Sequence, residues 1–175
     1  MTDMREGILQ KGWIRWTSTI LVVGMMILIF VFSSQGQEQS EGLSFPIGDK
    51  VIESGALDGV KDAVEAGGDT FFHFIQVLVR KLAHVAIYAV LGAGLFVCYE
   101  SWLGAQKLNW LWSMVIGIVY AATDEWHQST VPGRSGSAED VLIDGAGVIV
   151  GVLLALLAVW LIWKRKQKKA EEPEN

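Results

Sequence analysis

The sequence lacks most of the features that would assign it to a familiar class of protein. Its 175 residues include one cysteine, Cys98, so no disulfide can form within the chain. No basic patch with interleaved aromatic side chains indicates nucleic-acid binding, and the net charge is −5. There is no nucleophile elbow, P-loop or dinucleotide fingerprint, so we predict no cofactor. The most informative property is the arrangement of the hydrophobic residues, which make up 51% of the chain.

The apolar residues are concentrated in long runs, as in a membrane protein, and are not spread along the chain as in a soluble core. A helix needs about twenty apolar residues to cross a bilayer. FSSQGQ, which follows the first run, has no small-x-small cleavage pattern, so we predict an anchor and not a cleaved signal peptide. The predicted fold class is an all-α integral membrane protein, a bundle of four transmembrane helices with a long outer loop between helices 1 and 2. The predicted helices are at about 13–32, 74–98, 105–123 and 141–163.

The distribution of basic residues predicts the orientation of the chain. With the N-terminus inside, nine Lys and Arg side chains fall on the cytoplasmic side and five on the outer side. This bias favours a multi-pass protein of the cell membrane with both termini in the cytoplasm. Residues 1–12 would then be a cytoplasmic segment, 13–163 the transmembrane domain, and 164–175 a cytoplasmic tail that is first basic and then acidic.

The loop predicted between the first two helices, residues 33 to about 70, contains eight acids and two lysines. Within it Leu57, Val60 and Val64 recur at i, i+3 and i+7, which is typical of one apolar helix face. A short amphipathic helix on the outer surface would fit this spacing. A solvated loop without regular structure is the alternative, and the sequence does not decide between them.

Polar side chains cluster at the outer ends of the predicted helices. Lys81, His84 and Tyr88 share one face of the second helix at i, i+3 and i+7. The third helix ends in TDEWHQ, the connecting turn contains GRSG, and the fourth helix begins near SAEDVLID. All four helices therefore place polar groups at the level of the outer headgroups. The remaining candidate site residues are Ser33, Gln35, Asp124, Glu125, His127, Gln128, Arg134, Asp140 and Asp144.

Ionisable groups at the edge of a bilayer are costly to place there, which makes a functional site the default interpretation. The alternative is a structural network in which Lys81 and Arg134 neutralise neighbouring acids and tie the helices together. The acids concerned are Asp124, Asp140 and Asp144.

Two further patterns have simple structural interpretations. SAED before the last apolar run predicts an N-terminal helix cap in which Ser137 or Asp140 bonds free backbone N–H groups. Gly147, Gly151 and Ala155 recur at every fourth position, which predicts close packing of this face against another helix.

A metal site is the least favoured chemistry for the polar cluster. His84, Asp124, Glu125 and His127 offer nitrogen and oxygen ligands, but their spacing matches neither H-E-x-x-H nor a paired-cysteine scheme. Lys81 nearby would also repel a cation. The sequence therefore predicts no metal.

Three stretches together resemble the VanZ-like family of bacterial membrane proteins. They are FSSQ after the first helix, RKLAHVAIYAVLG in the second, and TDEWHQSTVPGRSGSAEDVLIDGAGVIVG across the third and fourth. The resemblance covers roughly residues 30 to 155. It implies a multi-helix integral membrane protein from a family whose founding member is linked to teicoplanin resistance, and it implies no particular biochemical activity.

Two classes of function follow from the cluster. In one, the protein binds an anionic lipid-linked or cell-envelope ligand and lowers susceptibility to teicoplanin-type glycopeptides. In the other, it is a membrane hydrolase or transferase in which His84 or Asp124 is the acid/base group and Tyr88 a hydrogen-bond partner. In both, Lys81 and Arg134 hold the anionic group, and membrane lipids are the expected partners. A transporter is disfavoured because four helices without an internal repeat leave little room for alternating access.

Overall fold

The computed structural model describes residues 9–34, 58–104, 106–133 and 136–171. This part of the chain forms four long helices and contains no strand. The helices are α1 (Gly12–Ser33), α2 (Asp58–Leu103), α3 (Asn109–Gln128) and α4 (Ala138–Glu171). The all-α fold class is therefore confirmed.

Three helices are long and apolar enough to cross a membrane. They are α1, the Val77–Leu103 part of α2 and the Ala138–Lys169 part of α4. Helix α3 is not among them. Polar residues at both of its ends leave an apolar section, residues 110–123, that is shorter than the stretch of about twenty apolar residues that a helix needs to cross a bilayer. The three apolar helices support the assignment as a membrane protein. That α3 also crosses the membrane stays a prediction.

Helix α2 begins sixteen residues before the predicted start at 74, at Asp58. The acidic region is therefore helical from Asp58 onward, but it does not form the short separate helix that was predicted, because the helix continues without a break into the span. No proline, the residue that most strongly ends a helix, occurs between Asp58 and Leu103. Leu57 and the rest of 35–57 lie outside the described residues, so this part of the predicted long outer loop is untested.

The other helix boundaries differ from the prediction by smaller amounts. Helix α2 ends before Gly104, which has a φ of 75° and so adopts the left-handed conformation that suits glycine after a helix. Helix α3 continues through TDEWHQ to Gln128, five residues beyond the predicted end. This extension places Asp124, Glu125 and Gln128 on a helix and fixes their relative directions.

Helix α2 is central: it packs most extensively against α4 and also contacts α1 and α3. The predicted small-residue face of α4 lies at the α2 contact. A Cβ at Gly147 would come within 2.6 Å of the Val85 carbonyl oxygen, and one at Gly151 would overlap the Ala89 carbonyl. These glycines let the two backbones approach, as the sequence predicted. The close approach places the polar ends of α2 and α4 side by side.

Candidate functional site

Three helices bring buried polar side chains together at one end of the bundle. Tyr88 of α2, Asp124 of α3 and Asp144 of α4 have exposed fractions of 1%, 4% and 1%. The Tyr88 hydroxyl donates a hydrogen bond to Asp124 Oδ2 at 3.0 Å, and the Gln128 side-chain amide donates to the same oxygen at 3.1 Å. Gln128 and Asp124 are four residues apart and so share a face of α3.

The contact between α2 and α4 pairs His84 with Asp144. Nδ1 of His84 lies 3.4 Å from Asp144 Oδ1, and one third of the His84 side chain is exposed. Because His84 precedes Tyr88 by one helical turn, one face of α2 supplies a partner to an acid on each of two other helices. The sequence predicted that these residues lie at a similar depth in the membrane. The structure shows which of them contact each other.

Glu125 joins the cluster from α3 and is 5% exposed. Its Oε2 accepts a hydrogen bond from the backbone N–H of Ser137, at 3.0 Å, just before α4 begins. The Ser137 hydroxyl in turn accepts from the backbone N–H of Glu139 at 3.1 Å. Of the two predicted capping residues, Ser137 is therefore the one that makes the cap.

Oxygen atoms from Asp124, Glu125 and Asp144 all lie within 4.8 Å of one another, and all three residues are buried. Such a group of carboxylates has the composition and spacing to hold a metal ion. His127, which the sequence grouped with Asp124 and Glu125 as a possible ligand, is not part of it.

Lys81 lies beside the cluster and is paired with a different set of acids. Its Nζ is 3.3 Å from Glu139 Oε1 and 3.3 Å from Asp140 Oδ1, in the first turn of α4. The structural-network alternative offered Asp124, Asp140 and Asp144 as the acids to be neutralised. The structure pairs Lys81 with Asp140 and not with Asp124 or Asp144. Glu139, which was not among the candidate site residues, is the second partner. One third of the Lys81 side chain is exposed.

His127 contacts α1 and not the buried acids. Its ring stacks on Phe30 with centroids 4.6 Å apart, and its Nε2 lies 3.1 Å from the Ser34 hydroxyl. Ser33, a candidate site residue, is buried at the end of α1. Gln35 and Arg134 lie outside the described residues, so their predicted roles stay predictions.

A second buried polar cluster lies at the opposite end of α2, and the sequence analysis did not select it. Glu100 is 1% exposed and its Oε1 accepts a hydrogen bond from the Asn109 side-chain amide at 3.1 Å. The same amide donates to the Gly104 carbonyl at 2.6 Å. These bonds connect the end of α2 to the start of α3. The signal in the sequence was an acid at the end of an apolar run.

Comparison with protein families gives a match to the VanZ/LLP1 family over residues 18–162. Comparison with curated proteins and with solved structures gives no significant match. The match covers most of the chain and includes every side chain of the buried cluster, which are His84, Tyr88, Asp124, Glu125, Gln128 and Asp144. By this match, and in agreement with its apolar helices, the chain belongs to the VanZ/LLP1 family.

Proposed function

We propose that the protein recognises the anionic group of a lipid-linked or cell-envelope molecule at the outer face of the bacterial cytoplasmic membrane. The observation that carries this proposal is the convergence of ionisable side chains from α2, α3 and α4 at one end of an apolar bundle. Groups of this kind are expensive in a membrane and are usually retained for function. The distribution of basic residues supports an outer location for this end.

Lys81 is the described residue best suited to receive an anion. Its amino nitrogen lies 3.3 Å from a carboxylate oxygen of Glu139 and 3.3 Å from one of Asp140, and one third of its side chain is exposed. Ion pairs at such accessible positions contribute little to stability, so an exchange of one carboxylate for a phosphate costs little. Arg134, between Gly133 and Gly136 in the neighbouring turn, would add a planar guanidinium that forks onto phosphate oxygens.

The physiological consequence would be a lower susceptibility to teicoplanin-type glycopeptides. A protein that binds a lipid-linked wall component at the outer leaflet would reduce access of the antibiotic to that component. Membership of the VanZ/LLP1 family supports this assignment, since the founding member of the VanZ-like proteins is linked to this resistance.

Native mass spectrometry of the purified protein tests the proposal. We expect an anionic lipid to be retained by the wild type and lost in Lys81→Ala and Arg134→Ala. Arg134→Lys should behave like Arg134→Ala, because lysine keeps the charge and loses the fork geometry. Lys107→Ala is the matched control, since Lys107 is an exposed lysine just before α3, away from the cluster. Equal lipid retention in all four variants would refute the role of this site.

Expression in a susceptible host tests the physiological part. The minimum inhibitory concentration of teicoplanin should rise with the wild type and with Lys107→Ala, and should not rise with Lys81→Ala. Membrane levels of each variant must be matched by immunoblot, so that a loss of protein is not taken for a loss of binding.

A membrane hydrolase or transferase is the second candidate, and one observation favours it. His84 is paired with Asp144, and the pair lies beside the hydrogen-bonded Tyr88 and Asp124. A histidine oriented by a carboxylate is a common acid/base arrangement. Lipid analysis of membranes separates the two candidates: an enzyme converts one lipid species into another in molar excess over the protein, and His84→Ala stops the conversion. A binding protein leaves the lipid composition unchanged.

A further inference from the structure

We propose that Asp124, Glu125 and Asp144 bind a divalent cation of the oxygen-preferring class, such as Mg²⁺, Mn²⁺ or Ca²⁺. Asp124 and Glu125 are consecutive on α3, and Asp144 approaches them from α4. One oxygen from each residue lies within 4.8 Å of the other two. Oxygen ligands of one such cation lie about 2.0–2.6 Å from it, and therefore up to about 5 Å from one another. The three carboxylates fit around a single ion.

The charge of the cluster requires compensation. All three carboxylates are at least 95% buried, where an isolated negative charge is strongly unfavourable and neighbouring negative charges repel each other. In the described part of the chain, His84 is the only cationic side chain paired with any of them, and it contacts Asp144 alone. One histidine supplies at most one positive charge against three carboxylates. A divalent cation supplies the remainder.

Two unpartnered oxygens provide the independent structural observation. Asp124 Oδ1 and Asp144 Oδ2 are fully buried and accept no hydrogen bond from the residues that the structure describes. In each aspartate the other oxygen is occupied, by Tyr88 and Gln128 in Asp124 and by His84 in Asp144. Buried polar atoms are nearly always satisfied, so two such atoms in one cluster indicate a missing partner.

The occupied oxygens also have the arrangement expected around a metal ligand. Side chains that hydrogen-bond one oxygen of a ligating carboxylate hold the other in the direction of the ion. Tyr88 and Gln128 donate to one oxygen of Asp124, and His84 lies beside one oxygen of Asp144, which leaves the second oxygen of each aspartate available to an ion. The Ser137 backbone N–H likewise donates to one oxygen of Glu125.

This inference departs from the sequence prediction of no metal. That prediction was based on the spacing of the candidate ligands, which matches no common metal motif, and on repulsion by Lys81. In the structure the acids come together from two helices, and Lys81 contacts Glu139 and Asp140, which compensate its charge. The ligand set is made of carboxylate oxygens, which hard cations prefer, and Cys98 lies elsewhere against Thr19. Cation binding does not require the anionic ligand proposed above, so either proposal can fail without the other.

Electron paramagnetic resonance of added Mn²⁺ tests the site on the full chain in detergent, after removal of divalent ions with EDTA. We expect one saturable Mn²⁺ per chain, displaced by excess Mg²⁺ or Ca²⁺. Asp144→Asn and Glu125→Gln should each weaken Mn²⁺ binding by about tenfold or more. The matched control is Glu100→Gln, which removes a buried acid at the opposite end of α2 and should leave the affinity unchanged.

Two outcomes would overturn the proposal. One is the absence of saturable Mn²⁺ binding to the folded wild type, which would mean that protons neutralise the cluster. The other is equal binding by wild type, Asp144→Asn and Glu125→Gln, which would place the ion elsewhere. If Asp144→Asn does not fold, Glu125→Gln decides, and folding of each variant is checked by circular dichroism before titration.

Discussion

His84 and Asp144 connect the accessible and the buried parts of the polar cluster. Nδ1 of His84 is 3.4 Å from Asp144 Oδ1, yet one third of the His84 side chain is exposed while the Asp144 side chain is 1% exposed. The histidine therefore connects the accessible surface of the bundle to the buried acid. His84 is also the only partner of Asp144 among the side chains that the structure describes.

We predict that His84→Ala lowers the free energy of unfolding by about 1–3 kcal/mol, because it leaves a buried carboxylate oxygen without a partner. Asp144→Asn should also destabilise the protein. The double variant should lose less unfolding free energy than the sum of the two single losses, with a coupling energy between the two residues of about 0.5–3 kcal/mol. Unfolding followed by tryptophan fluorescence in detergent with EDTA measures all three. Since His127 makes its contacts to α1, His127→Ala combined with Asp144→Asn should be additive. Equal coupling in both pairs would contradict the assigned contact.

Tyr88→Phe should cost more stability than Tyr120→Phe. Both changes remove one hydroxyl and keep the ring. The Tyr88 hydroxyl donates to the carboxylate of Asp124 at 3.0 Å, whereas the Tyr120 hydroxyl donates to the neutral Met26 carbonyl at 2.6 Å. Hydrogen bonds to charged groups contribute about 1.5–3 kcal/mol and neutral ones about 0.5–1.5 kcal/mol. Thermal unfolding of the two variants side by side provides the measurement, and the reverse order would show that Asp124 is uncharged or satisfied otherwise.

Gly151→Ala should disrupt the contact between α2 and α4. The added methyl group would overlap the Ala89 carbonyl, and overpacking of this kind typically costs about 1–3 kcal/mol. Gly24→Ala is the control, because nothing lies within 4 Å of a Cβ at that position of α1. Alanine is the better helix former there, so Gly24→Ala should be neutral or slightly stabilising. Similar effects of both substitutions on the unfolding temperature would contradict the close approach.

Cysteine labelling tests whether α3 crosses the membrane. In a Cys98→Ser background, single cysteines replace Lys107 before α3 and Thr130 after it, both at exposed positions. If α3 spans the bilayer with the polar cluster outside, an impermeant thiol reagent labels Thr130→Cys in intact cells and labels Lys107→Cys after lysis. Labelling of both cysteines in intact cells would show that α3 does not cross. Labelling of neither until lysis would place the cluster inside.

The membrane class and the approximate helices could be predicted from the sequence because both depend on local patterns. Runs of apolar residues predict spans, and the residues of the candidate site were found because charges are rare in such runs. Boundaries were less accurate where no apolar pattern marked them. The acidic stretch from Asp58 forms the beginning of α2, and TDEWHQ forms the end of α3.

The sequence by itself predicted which polar side chains lie at one level of the bundle, since helical spacing and span length indicate the depth of a residue. Only the tertiary structure decided which of them meet. Spacing on one helix does not set its rotation against another, and that rotation depends on shape, here on Gly147 and Gly151 of α4 against the backbone of α2. The resulting geometry pairs His84 with Asp144, directs Lys81 to Glu139 and Asp140, and brings Asp144 beside the acids of α3.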